Sequence, residues 1–209
     1  MSKQVYISAD YSENSGDRDV VEILNRWGTD NIHKIDFIDM SKVVSGSVSN
    51  DQDCRICDLK KEFNKQINAS SAVIFIVGDK TASRAAGSGC QRASIDAWYC
   101  VCTPYKQNTN GTKNCKVQTV YPARENEDVG NINNYSYLRH EFEQAKRRGK
   151  NIIILYNSTR KESNWLPSYM KEYENSAQPF WITNSLGQKV GNYSYVKEVL
   201  LDDWIPKKD

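Results

Sequence analysis

The chain has no apolar run approaching the ~20 residues that a membrane-spanning helix needs, so neither a membrane span nor a membrane partner is expected. It has only two histidines in 209 residues, His33 and His140, which argues against a Ser–His–Asp triad. His33 lies just before a strand, and His140 is expected on the exposed side of its helix. No G-x-G-x-x-G follows the first strand, and no G-x-x-x-x-G-K-[ST] occurs anywhere. Those absences argue against a Rossmann dehydrogenase and a P-loop NTPase. The glycines of AAGSGC (Ala85 to Cys90) do not directly follow a strand and read as a turn. There is no strong excess of either charge. A formal net charge of +2 gives no bulk electrostatic grip on nucleic acid, and no nucleic-acid partner is expected. The opening MSKQVYISADY lacks the apolar core and small-residue cleavage site of a signal peptide, which points to a cytoplasmic protein. Internal repeats and a low-complexity tail are also missing.

What is present fits a soluble globular chain, 39% hydrophobic and 26% charged. The length suits a single domain over residues 1–209 that carries one decorating insertion. The densest basic run, KRRGK (Lys146 to Lys150), falls at a helix end, where cations suit the macrodipole. Six cysteines occur. Cys54 and Cys57 form a C-x-x-C, but Cys100 and Cys102 make a poor second pair, so no metal site is expected and reduced thiols are.

Strands and helices alternate along the chain. QVYIS (Gln4 to Ser8) is a strand, and DRDVVEILNRWG (Asp17 to Gly28) is an amphipathic helix that Asp17 can cap and Gly28 ends. KIDFIDM (Lys34 to Met40) alternates as a strand does, and Ile56, Leu59, Phe63 and Ile67 stripe a second helix over Asp51 to Asn68. SSAVIFIVG (Ser70 to Gly78) is a continuous apolar run, the mark of a parallel strand covered on both faces. A long irregular segment follows, at about 80–134, with candidate strands at Ser94 to Cys102 and Lys116 to Pro122. Order returns with LRHEFEQAKRRGKNIIILY (Leu138 to Tyr156), a helix running into a buried strand. STRKESNWLPSYM reads as a loop with a helical turn. QPFWIT (Gln178 to Thr183) is a last strand, placed at an edge by Pro179, and Tyr193 to Trp204 is a final helix.

This alternation predicts an α/β fold, a flavodoxin-like three-layer sandwich of about five mainly parallel strands in the order 2-1-3-4-5. The long insertion follows strand 3. Ligands of such sheets bind beyond the carboxyl ends of strands 1 and 3, so the loops after Ser8 and Gly78 should converge on a cleft near the start of the Leu138 helix. A phosphorylated receiver domain shares the fold. Asp10, Asp39 and Asp79 stand at strand ends, but the acidic pair a receiver needs is missing, and aspartates there commonly start turns.

One carboxylate is awkwardly placed. Leu138, Phe142 and Ala145 make an apolar stripe, and Glu141 falls roughly 60° from its middle, while Glu143 points well away. Glu141 is either a partly buried, paired side chain or a catalytic group aimed into a cleft.

VYISADY, the FIDMS end of strand 2, SSAVIFIVGDKT and YLRHEFEQAKRRGKNIIILY together resemble TIR-like domains, and among them the bacterial family that includes the Thoeris anti-phage sensor. Val77, Gly78 and Asp79 match the family's strand-end turn. Tyr137 and Leu138 match its aromatic–aliphatic lead-in, Glu141 its glutamate, and Lys146 to Lys150 its basic Gly turn. The resemblance covers roughly residues 3–80 and 135–204 and omits the middle segment. It implies an enzyme that cleaves the nicotinamide–ribose bond of NAD, with NAD as substrate and no cofactor. It also implies a cyclic ADP-ribose-type product that signals in anti-phage defence. Self-association in the active state and a phage-derived trigger protein come with it. Glu141 would be the catalytic carboxylate, and Ser8, Ala9, Tyr11, Asp39, Gly78, Asp79 and Tyr137 would bind substrate. The family commonly has an aromatic or His where this chain has Ala9. Trp98, Tyr99 and Tyr105 would form a lid or partner surface, or else a structural aromatic cluster. Two other readings are a non-catalytic interaction module in signalling, with a structural Glu141, and a nucleotide sensor without turnover.

Overall fold

A computed structural model of the chain describes residues 3–10, 16–29, 35–38, 62–83 and 137–201. Tyr11, Asp39, all six cysteines, the candidate strands at 94–102 and 116–122, and Trp98, Tyr99 and Tyr105 lie outside those residues, as do 51–61 of the second helix and 202–204 of the last. The chain forms two compact units. One is Met1–Asp39 with Ser70–Ser83 and Gly149–Asp209, and the other is Met40–Ala69 with Arg84–Arg148.

The first unit is an α/β structure with the flavodoxin-like strand order. Its five strands, β1 (Lys3–Ser8), β2 (Ile35–Ile38), β3 (Ala72–Val77), β4 (Asn151–Tyr156) and β5 (Gln178–Pro179), lie in the order β2-β1-β3-β4-β5. Every neighbouring pair is parallel, with Val5 beside Ala72 and Ser8 beside Phe75, then Ala72 beside Asn151 and Val77 beside Tyr156. The apolar run AVIFIV occupies the central position because all its side chains are buried, so no face needs a polar residue. Pro179, which has no N–H to donate, stands on the edge strand β5, as expected.

One face of the sheet presents Val5, Ile7, Ala72, Ile74, Ile76, Ile153 and Leu155. Against them pack Val20, Val21 and Leu24 of helix α1 (Asp17–Gly28) and Val196 and Leu200 of a C-terminal helix (Tyr193–Leu201), with Phe180 and Trp181 completing the cluster. Each Val, Leu, Ile or Phe side chain among them contributes about 1.5–3 kcal/mol when fully removed from water. The spacing 20, 21, 24 is that of one helical face, so α1 delivers its whole stripe to this layer.

Two local expectations are corrected. Asp17 does not cap α1. Gly16 holds the N-cap position, in left-handed backbone at φ 68°, and Asp17 is the first helical residue with its side chain fully buried. QPFWIT is not one strand. After Pro179 the chain leaves the parallel sheet and forms an antiparallel hairpin of β6 (Trp181–Thr183) with β7 (Lys189–Gly191). The Asn184 side-chain oxygen accepts the N–H groups of Leu186 and Gln188, and Gly187 supplies the positive φ that the turn demands. The expected turn near Ser168 is a 3-10 helix, Ser168–Tyr173.

In the second unit, residues 62–69 form helix α2 and Tyr137–Arg147 forms α3, which makes the C-terminal helix α4. Leu138, Phe142 and Ala145 are buried as the stripe requires, and Glu143 is exposed. His140 is not on the exposed side. It is buried, and its Nε2 lies 2.9 Å from Asn64 Oδ1. One turn later Gln144 Nε2 donates to Asn68 Oδ1 at 2.8 Å, and Arg147 donates to Gln144 Oε1. A polar ladder between α2 and α3 therefore buries a face that an apolar-stripe argument assigns to solvent. At the end of α3, Lys146 and Arg147 occupy the last turn, and Gly149 turns the chain at φ 59°.

Candidate functional site

The carboxyl ends of β1, β3 and β4 meet around one acidic side chain in the first unit. Asp17 is brought there because Gly16 reverses the backbone and starts α1 with its first residue turned inward. The Asp10 N–H, just past β1, donates to Asp17 Oδ2 at 3.3 Å. The Asn157 amide, the residue after β4, donates to Asp17 Oδ1 at 2.9 Å. Asn157 is itself held at both ends, since its backbone N–H donates to Val77 O at 2.9 Å and its Oδ1 accepts the Trp181 indole N–H at 2.7 Å. Lys189 Nζ stands 4.2 Å from the Trp181 ring centroid, a cation–π contact on the same indole.

Gly78 completes the arrangement by lacking a side chain. A Cβ there would lie 2.9 Å from Asp17 Oδ1, so the close approach of the β3 exit to the carboxyl requires glycine. The turn after it is closed by Thr81, whose hydroxyl accepts the Gly78 N–H at 2.8 Å and whose N–H donates to Gly78 O. The GDKT sequence thus forms a fixed corner, with Gly78 and Thr81 buried and Asp79 and Lys80 exposed.

Burial is the largest influence on Asp17, and it pushes the carboxyl up to about 7. The hydrogen bonds from Asn157 and the Asp10 amide oppose the rise, and the negative charges of Asp10 and Asp79 add to it. A helix N-terminus ordinarily favours a negative charge, by about 0.3–1 kcal/mol when exposed. Here desolvation exceeds that help. The same position would ordinarily suit a bound anion. With Asp17, Asp10 and Asp79 gathered at it, this helix start carries its own acids instead.

Of the residues expected to bind substrate, Ser8, Ala9, Gly78 and Asp79 gather at the ends of the adjacent strands β1 and β3. Ser8 is fully buried, Ala9 is partly buried and packed against the apolar cluster, and Asp79 is exposed. Asp17, Asn157, Thr81 and Trp181 were not singled out from sequence as members of this edge. Asn157 carried a usable signal, because it directly follows a buried parallel strand, where ligands of such sheets are bound. Trp181 carried none.

Glu141 and Tyr137 belong to α3 in the second unit. Glu141 is buried at 3% exposure, close to the shoulder position that helical periodicity assigns it. Tyr137 packs the edge of its ring on Phe63 of α2, with centroids 5.5 Å apart and planes at 82°. That contact gives Tyr137 a packing role within the helix pair. Among the described residues, no group of three His, Cys, Asp or Glu side chains is arranged to hold a metal ion. No helix among them is long and apolar enough to cross a membrane.

No protein-family model matches the chain, and no curated protein matches it.

Proposed function

We propose that the chain is a TIR-like enzyme that cleaves the nicotinamide–ribose bond of NAD and releases an ADP-ribose-type nucleotide signal in anti-phage defence. The observation that carries this reading is the buried carboxylate of Glu141, on the helix that leads into β4 of a 2-1-3-4-5 sheet. Nicotinamide leaves a cationic substrate as a neutral molecule, so the leaving group needs no general acid. The ribose becomes oxocarbenium-like, as in glycoside cleavage. A single carboxylate held away from water stabilises that charge electrostatically, and a fixed donor or charge of this kind is worth about 10²–10³ in rate. In this reading Ser8, Ala9, Gly78 and Asp79 contribute to substrate binding, and Tyr11, Asp39 and Tyr137 are assigned with them on the resemblance alone. NAD is the substrate and no cofactor is required. Activity depends on self-association and on a phage-derived trigger.

A second reading is favoured by one position. Ala9 has no ring or imidazole to stack on a base or nicotinamide, which suits a TIR-like interaction module with no turnover. The two readings separate in one experiment. The full chain is incubated with NAD, alone at high concentration and with extract of infected cells, and nicotinamide is followed by chromatography beside Glu141→Gln. The enzyme reading expects release by the wild type and its loss in the variant. Release that survives Glu141→Gln overturns the mechanism, and no release in any condition overturns the enzyme reading and favours the interaction module.

A further inference from the structure

The carboxyl of Asp17 joins three chain segments that are distant in sequence. Its two oxygens take up a backbone N–H beyond β1 and the side-chain amide beyond β4, while the β3 exit passes over it at Gly78. The amide is oriented in turn by the Trp181 indole. We propose that Asp17 is a positioning residue and a proton-responsive latch, which fixes the β1 exit to the β4 exit and passes its protonation state through Asn157 to the Trp181 indole.

The physical argument is a competition. An ionised Asp17 makes stronger hydrogen bonds to Asn157 and Asp10, because a charged acceptor strengthens each. It also pays for removal from water, beside the negative charges of Asp10 from the β1 exit and Asp79 from the β3 exit. Asn157 on the β4 side is neutral. Burial and the two acids oppose the charged form while the two N–H donors favour it, so a change in the carboxyl's protonation alters both hydrogen bonds together, including the one from the Asp10 N–H. Ser8 and Ala9 immediately precede that N–H, so the latch sets the backbone of the candidate ligand edge. The inference concerns the first unit alone and stands whether or not the chain cleaves NAD.

The test is a ligand-free pH titration of the ¹⁵N-labelled full chain, following the Asp10 amide and the Trp181 indole N–H between about pH 5.5 and 8.5. Both signals should move together with one midpoint near 7. In Asp17→Asn both movements should disappear. In Asp10→Asn, where a neighbouring negative charge is gone, both should persist with a common midpoint shifted to lower pH. The second variant decides the matter if the first does not fold. The latch is overturned if either signal still titrates in Asp17→Asn. It is equally overturned if the two signals have separate midpoints, if neither moves in the wild type, or if Asp10→Asn abolishes the titration or leaves its midpoint in place.

Discussion

Among the described residues each of the two units buries one acid, and the two acids are set in different surroundings. Asp17 stands at the end of a sheet layer that is otherwise apolar, and its oxygens are engaged by a backbone amide and an asparagine. Glu141 stands on a helix whose buried face is mixed, with His140 and Gln144 beside Leu138, Phe142 and Ala145. A carboxylate framed by fixed neutral donors at converging strand ends is suited to holding backbone in place. Glu141 lies instead on a helix that already carries a polar ladder. Burial alone therefore does not separate a positioning acid from a catalytic one.

Substitutions at the two acids are read out differently. The largest effect is expected from Glu141→Gln, which should lower NAD cleavage by about 10²–10³, followed as nicotinamide release. Asp17→Asn should act on the pH dependence instead. Its native carboxyl sits at about 7 against an ordinary 3.8, so the folded state keeps a proton that the unfolded state loses. Wild-type stability should then fall as pH rises from about 4 to about 7 and level off above that. The variant should lack that component, on the order of 2–4 kcal/mol, in urea unfolding at the two ends of the range.

Gly78→Ala presses a methyl group against Asp17 Oδ1 and should cost about 1–3 kcal/mol in the first unit. Paired with Asp17→Ala, the double-mutant cycle should recover part of that cost, since the clash partner is removed. The smallest effect is expected in the second unit. His140→Leu leaves Asn64 Oδ1 without its 2.9 Å partner, and Asn64 Nδ2 already lacks a hydrogen-bond partner among the described residues. A loss of about 1–2 kcal/mol is expected, with partial recovery in the double variant with Asn64→Leu, because the Asn64 amide is then no longer buried without its partner.

The framework was readable because apolar patterns report directly on burial. AVIFIV had to be central, IIILY had to be covered, and Pro179 had to be at an edge, and all three hold. Glu141 was noticed for the same reason, as a charge beside an apolar stripe. Polar burial is harder to read. His140 and Gln144 look solvent-facing until Asn64 and Asn68 of a helix about 76 positions away supply partners. Asp17 looks like a cap, since Asp at a helix start usually is one, and only the left-handed Gly16 turns it inward. The split of QPFWIT was hidden because Phe180 and Trp181 are strand formers on either side of the change. The deciding bonds, Phe180 N–H to Tyr156 O and Asn192 N–H to Phe180 O, join segments that sequence spacing does not relate.

The most direct test of the functional account is a time course of nicotinamide release from NAD by the full chain with extract of infected cells, run beside Glu141→Gln of equal helical content. The account predicts release by the wild type and a rate at least about a hundredfold lower in the variant. Equal rates from the two proteins would contradict it.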